Sequence, residues 1–256
     1  MKNIKINIVL MLVTAGIIAG CNDSDTVTSV SSTDPELGDA LVTTYHKFYG
    51  AYEVSFEGDY VVMKTKGRPE HPSPYYQGTQ WEGSLYEPYN GTNQNFHQNP
   101  NHINEFNFTF KIPLHPQASG TPTPTPLGPI GVALNGVPIF NQYAAGGVPL
   151  TGEINSFDQY GGHPTGNHMY HYHVEPLYLT TLYGRDALVG YLLDGFPVYG
   201  PVENGKVLTT STLDAYHGHF GVTREYPNGI YHYHITDDAP YINGDGFYGT
   251  PGTVTQ

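Results

Sequence analysis

The tetrapeptide Tyr-His-Tyr-His stands twice in this 256-residue chain, at Tyr170–His173 and Tyr231–His234. In an extended segment alternate side chains point to opposite faces. His171 and His173 then share one side and Tyr170 and Tyr172 the other, and the second copy divides His232 and His234 from Tyr231 and Tyr233 in the same way. Same-face neighbours sit ~6.5–7 Å apart at Cα, near enough for two imidazoles to meet one ion at bonds of ~2.0–2.1 Å. Upstream of each tetrapeptide stands a Gly-His pair, Gly162-His163 and Gly218-His219, and eight of the 13 histidines fall between His163 and His234. One His-x-His is commonplace. Two, each with its Gly-His, point to a transition-metal or catalytic site made by His163, His171, His173, His219, His232 and His234. Imidazole ligands, alone or with a carboxylate, suit copper(II) or zinc, with nickel and iron(II) as further options. Asp158 and Asp214 are the natural acceptors for the free N–H of a ligating histidine. His71, in the Pro-flanked loop Arg68-Pro-Glu-His-Pro-Ser-Pro-Tyr75, is a candidate accessory, as are His168 and His217. His46, His97, His102 and His115 read as ordinary surface or interface residues.

The elements that must position these side chains are themselves duplicated. Ile130–Phe140 aligns without a gap on Val189–Tyr199, and Phe157-Asp-Gln-Tyr-Gly-Gly-His163 on Leu213-Asp-Ala-Tyr-His-Gly-His219; with the tetrapeptides, the offsets are 59, 56 and 61 residues. Repeats of about residues 128–176 and 187–238 follow. Within them, Asn135-Gly136 and Asp194-Gly195 predict hairpins with type I′ turns, in which both central residues need positive φ. Gly and Pro punctuate the chain throughout, and alternating segments such as Tyr60–Lys66 and Phe106–Ile112 read as half-buried strands. The fold expected is all-β, a pseudo-twofold sandwich or barrel in one domain over 41–256. Leu177–Leu188 is the one weak helical stretch, and Ser119–Pro126 reads as an exposed proline-rich loop. Packed about a pseudo-twofold axis, the two copies are expected to aim their imidazoles into one shared cavity while the tyrosines turn into the core.

The ends bound the setting. Lys2 and Lys5, an apolar run from Ile6 to Ala19 and then Gly20-Cys21 describe a secretory leader over residues 1–20. Ile18-Ala-Gly-Cys21 has the form of a lipobox, which makes Cys21, the one cysteine in the chain, the expected lipidation site. Residues 21–40 read as a disordered tether. The expected location is the bacterial cell envelope, with Asn22 pointing to the outer membrane, and with the membrane met through the N-terminal lipid only. Losing Lys2 and Lys5 with the leader takes the net charge from −13 to about −15, which argues against nucleic acid and attracts cations. The mature chain keeps only Met63 and Met169, so no thioether cluster for copper(I) is present.

These motifs together resemble the YHYH-domain family. The likeness covers about residues 60–250: Gly67–Tyr75, Gly128–Gly136, Leu193–Gly200 and both tetrapeptides. It implies an extracytoplasmic bacterial module without a settled activity. Many members read Leu-Asp-Glu-Cys-Asn-Gly-His where this chain has Leu213-Asp-Ala-Tyr-His-Gly-His219, and Gly-Cys-Phe where it has Asn243-Gly-Asp-Gly-Phe247. The resemblance thus implies the joint loss of a paired disulfide. Three functions follow from the residues. The first is a metal-binding envelope lipoprotein, and the second a metal-assisted hydrolase or oxidase at the same site. The third is a glycan or protein adhesion module using Trp81, the tyrosines and the Tyr89–Asn95 loop. A two-histidine phosphoesterase, with His234-Ile-Thr236 as its acid–base motif, ranks lower because the first copy reads His173-Val-Glu175. No small-molecule or protein partner can be named from the sequence.

Overall fold

The computed structural model describes residues 43–244 and 246–256; the leader, Cys21 and the tether lie outside them. In chain order the strands are β1 (Ala51–Glu57), β2 (Tyr60–Thr65), β3 (Phe108–Pro113), β4 (Ala118–Pro124), β5 (Pro129–Ala133), β6 (Pro138–Phe140), β7 (Tyr143–Ala144), β8 (Val148–Pro149), β9 (Gly162–Pro164) and β10 (Tyr170–Tyr172). The second half holds β11 (Leu188–Leu192), β12 (Pro197–Tyr199), β13 (Val202–Glu203), β14 (Lys206–Val207), β15 (Gly218–Gly221), β16 (Ile230–His234), β17 (Gly246–Gly249) and β18 (Thr253–Thr255). Strands β1-β2-β3-β18 form one sheet, and β15-β16-β12-β11-β5-β6-β10-β9 a larger one. Their apolar faces share one core, in which Val61, Met63, Phe108 and Phe110 meet Ile130, Val132, Tyr191 and Leu192. The protein is an all-β sandwich of open sheets, not a barrel.

The larger sheet is the duplication laid out flat. Its order reads as one half, β15-β16-β12-β11, followed by the related half in reverse, β5-β6-β10-β9. The halves meet where β5 and β11 pair antiparallel, with Gly131 opposite Leu192, Val132 opposite Tyr191 and Ala133 opposite Gly190. Val132 and Tyr191 are repeat equivalents, so a pseudo-twofold axis passes between them. Each strand carries a bulge just before its glycine, between Pro129 and Gly131 or Leu188 and Gly190. A Cβ on Gly131 would lie 2.4 Å from Tyr191 O, and one on Gly190 2.3 Å from Val132 O. Only glycine lets the backbones close here.

This axis corrects the expectation of a shared cavity. The copies lie side by side, and β10 and β16 stand five strand positions apart, roughly 24 Å at about 4.8 Å per strand.

Other local expectations also shift. At the Asn-Gly and Asp-Gly turns only Gly136 (φ 79°) and Gly195 (φ 87°) have positive φ. The N–H of Gly136 donates to Ala133 O at 2.8 Å and that of Ala133 to Val137 O at 2.9 Å, and Gly195 and Leu192 repeat the pattern. These are three-residue loops closed by a left-handed glycine, not type I′ turns. Asn135 and Asp194 stay in ordinary conformations because their side chains have other partners, described below. The proline-rich stretch forms β4, exposed yet paired with β17, which a strand lying outside both main sheets can do despite missing N–H donors. The weak helix is Leu177–Tyr183, ended by Gly184 at φ 101°. A one-turn helix at Glu82–Leu85 was not foreseen.

Gly190→Ala is expected to destabilise the fold by about 1–3 kcal/mol through backbone overlap. Gly120→Ala, where nothing lies within 4 Å of the new Cβ, should stay within about 0.5 kcal/mol. Urea midpoints of the two variants check both.

Candidate metal centres

Each half builds its own centre. Glu153, His163, His171 and His173 bring one ligand-type atom each within 4.8 Å of one another, and Glu203, His219, His232 and His234 do the same in the second half. All six histidines singled out by spacing are therefore used, three per centre. The outer histidine comes from the edge strand, opposite the first histidine of the tetrapeptide: His163 pairs with His171 and His219 with His232.

Hydrogen bonds fix which nitrogen faces inward. The Nδ1–H groups of the tetrapeptide histidines donate to backbone carbonyls: His171 to Met169 O at 3.1 Å, His173 to Asn141 O at 2.5 Å, His232 to Ile230 O at 3.0 Å and His234 to Gly200 O at 3.0 Å. Their Nε2 lone pairs then point into the cluster. For His163 the anchor is Ser156, whose hydroxyl donates to Glu153 O at 2.7 Å and so accepts from His163 Nδ1–H at 2.7 Å.

The inward nitrogens have poor partners. Nε2 of His163, His219, His232 and His234 are buried without an aligned hydrogen bond. Nε2 of His171 and His173 face each other at 2.8 Å, an arrangement of two bare lone pairs unless a cation or a proton is shared. Burial, the largest cause, pushes His171 well below the ordinary imidazole range, His173 to about 4 and His234 to about 3, and lowers His232 as well. Burial thus disfavours the doubly protonated rings that would place a proton on Nε2.

The carboxylates complete the sets. Glu153 Oε1 lies 3.1 Å from His163 Nε2, and His163 holds Glu153 below the usual carboxylate range. Glu203 lies 3.4 Å from His219, 3.6 Å from His232 and 4.0 Å from His234. The edge of a tetrahedron with bonds of ~2.0–2.1 Å is roughly 3.3–3.4 Å, and ligand atoms within 4.8 Å of one another are compact enough that each set could hold an ion.

Neither glutamate was anticipated, and repeat alignment could not have found them. Glu203 sits in β13, where the first copy has Ala144 in β7. Glu153 opens the 3-10 turn Glu153–Ser156, where the second copy has Thr209 beside Thr210–Thr212.

The aspartates and His71 act on the opposite face, which corrects their assignment. Asp158 accepts Tyr170 OH at 2.9 Å and Ser73 Oγ at 2.6 Å, and Asp214 accepts Tyr231 OH at 2.9 Å. The same carboxylates take backbone N–H groups of Tyr160 and Gly162, or Tyr216 and Gly218. They thus fix the turn that delivers His163 or His219 without touching either ring.

His71 is buried among Tyr160, Tyr170 and Tyr178, and its Nε2 accepts from Tyr172 OH at 3.0 Å. Asn135 Nδ2 donates to Tyr172 OH at 3.0 Å. In the second copy Asp194 instead accepts Tyr233 OH at 2.6 Å, and burial pushes Asp194 up to about 6 despite that bond. Of the accessories, His168 donates to or accepts from the His102 backbone on the surface. His217 (φ 75°) donates Nδ1–H to His234 O at 2.9 Å. Thr236 Oγ1 turns to His217 Nε2 at 3.0 Å and not to His234, which removes the phosphoesterase arrangement.

The family model described as YHYH protein matches residues 109–207 and 202–246. The chain belongs to the YHYH protein family. No curated protein and no solved structure matches it. Tyr216, which stands where the resemblance implies a cysteine, lies against Gly244 and Tyr248, beside the position implied for the other. Gly244 N–H donates to Tyr216 O at 3.2 Å, and the ring of Tyr216 meets Tyr248 edge-on with centroids 5.5 Å apart.

The lowered histidines make acid stability predictable. Between the unfolded value of about 6.5 and the folded values of about 4 for His173 and about 3 for His234, the unfolded chain binds more protons, so stability is complete above about pH 6.5 and drains away as pH falls. Asp194, raised, acts in the opposite sense between about 4 and 6, but it is one group against several. His173 and His234 should each cost the metal-free protein about 1–2 kcal/mol by pH 5. A urea midpoint that holds constant from pH 7.5 to 5 contradicts this account.

Proposed function

We propose that this chain binds two transition-metal ions, zinc(II) or copper(II), one in each half of the duplicated unit. The observation that carries the reading is the supply of the carboxylate. Equivalent histidines in the two copies are met by a glutamate from non-equivalent backbone positions, a strand residue in one and a 3-10 turn residue in the other. Shared fold alone explains the repeated histidines; it does not explain why two unrelated positions converge on one anionic ligand. A cation at the centre does, since it stabilises the facing lone pairs of His171 and His173 and the buried Nε2 atoms.

Three imidazoles and a carboxylate form a borderline ligand set that suits zinc(II) and copper(II). The carbonyl acceptors on Nδ1 orient the rings and raise their basicity, as acceptors behind ligating histidines do in general. The leader and lipobox pattern supports an envelope lipoprotein tethered at Cys21, and the acidic mature chain supports cation capture outside the cytoplasm.

Elemental analysis of the purified protein is expected to find two ions per chain. His171→Ala with His173→Ala should leave one, and so should His232→Ala with His234→Ala. A single shared ion would be lost in both, and a wild-type chain that stays metal-free with unchanged stability rejects the reading. Glu153→Ala and Glu203→Ala should each loosen one ion only, by at least about ten-fold, since outer groups alone already cost 10–100-fold.

A further inference from the structure

The two centres share ligand types but not surroundings. At the first, His171, His173 and Glu153 form part of the lining of a cavity of about 340 Å³, whose other walls include Phe140, Tyr143, Ala144 and Leu127. At the second, His232, His234 and Glu203 border a space of about 120 Å³ walled by Asp186, Arg224 and Glu225. The smaller space has room for a few waters at ~30 Å³ each. The larger one falls in the range that holds small organic ligands, ~300–1,000 Å³.

One pair of repeat equivalents accounts for much of the difference. Tyr199 packs beside His232 and His234, and its hydroxyl donates to Glu225 Oε2 at 2.8 Å and lies 2.7 Å from Thr223 Oγ1. It pins the 222–225 segment over the second centre, and Lys47 grips Glu225 from outside at 2.5 Å. Phe140 packs on His171 more closely, with centroids 4.0 Å apart against 5.3 Å for Tyr199 and His232, but it has no hydroxyl to hold a cover.

The carboxylates differ in the same sense. Glu203 reaches all three imidazoles within 4.0 Å and spans the front of its set. Among the described residues Glu153 comes that near to His163 alone, so no carboxylate spans the front of the buried His171 and His173.

Resting on the metal reading above, we infer that the first centre accepts an external ligand on its metal and the second does not. The ligand class follows from the walls: a neutral molecule with one nitrogen or oxygen donor on an apolar, ring-sized body. No lysine or arginine lines the cavity, so phosphate and carboxylate ligands find no counter-charge beyond the metal itself.

The test loads both centres with cobalt(II), whose visible spectrum reports coordination, and titrates 4-phenylimidazole against imidazole. The wild-type spectrum should saturate at one 4-phenylimidazole per two cobalt ions. Affinity should exceed that of imidazole by about ten-fold or more, the gain expected from burying a phenyl ring. The His232→Ala, His234→Ala chain should keep this response and the His171→Ala, His173→Ala chain should lose it. Phe140→Ala should abolish the preference for the phenyl group, and Tyr199→Phe should begin to open the second centre. Two ligands bound per chain, or two retained cobalt ions with no spectral response, overturn the inference while leaving the metal reading intact. A chain that retains no cobalt overturns both.

Discussion

The pairing of β5 with β11 is the constraint from which the rest of the arrangement follows. Two antiparallel strands that place Val132 opposite Tyr191 put related residues across one axis. Everything outward of that axis is then duplicated in mirror order, hairpin first, tetrapeptide next, edge histidine last. The glycines at 131 and 190 are the chemical condition for it, because a side chain on either would strike the carbonyl of the facing strand. A sheet joined along any other edge could bring the histidines of the two copies together. This edge sends them to opposite wings, and so makes two centres of three imidazoles and not one of six.

Within each wing the tetrapeptide works as a partition. Its tyrosines are buried at 3% exposure or less, and every hydroxyl has a polar partner: Asp158, Asp214, Asp194, or Asn135 with His71. Those bonds hold the strand from behind, so that two histidines on its front can be held with their Nε2 atoms bare. Burying a polar atom without a partner costs about 1–3 kcal/mol. The tyrosine side, rich in satisfied bonds and aromatic contact, is what the fold sets against that cost.

Period-two alternation was legible because it needs no knowledge of tertiary contacts, and Tyr170 and His171 fall on the faces that alternation requires. The six histidines were legible for the same reason together with repetition. The number of centres was not, since an offset between copies relates them without saying which strand edge joins them. Glu153 and Glu203 were invisible because they occupy non-equivalent positions, so the duplication that reveals the histidines hides the glutamates. Asp158 and Asp214 were visible but misassigned. An aspartate four residues before a Gly-His can reach the backbone of its own turn, and that local bond, joined by a tyrosine from the next strand, outcompetes a histidine on the far face. The Asn-Gly turns erred similarly: once Asn135 and Asp194 are engaged by Tyr172 and Tyr233, the left-handed residue needed to close the hairpin is the glycine alone.

The copies have also diverged in opposite directions. The first fixes its outer histidine, with Ser156 behind His163 and the ring buried, but leaves its wall an unpinned Phe140. The second pins its wall through Tyr199 and leaves the side chain of His219 34% exposed. It adds His217 in place of Gly161, at a left-handed conformation that costs a side-chain-bearing residue roughly 1–2 kcal/mol. That cost is offset by a reciprocal clasp: His217 donates Nδ1–H to His234 O at 2.9 Å, and His234 N–H donates to His217 O at 3.1 Å. The clasp holds the backbone of His234 in place beside His232. In the first copy the same spot cannot take a side chain, since a Cβ on Gly161 would meet Glu175 O at 2.4 Å. There the ring positions of His163 and His173 rest on Ser156 and Asn141 instead.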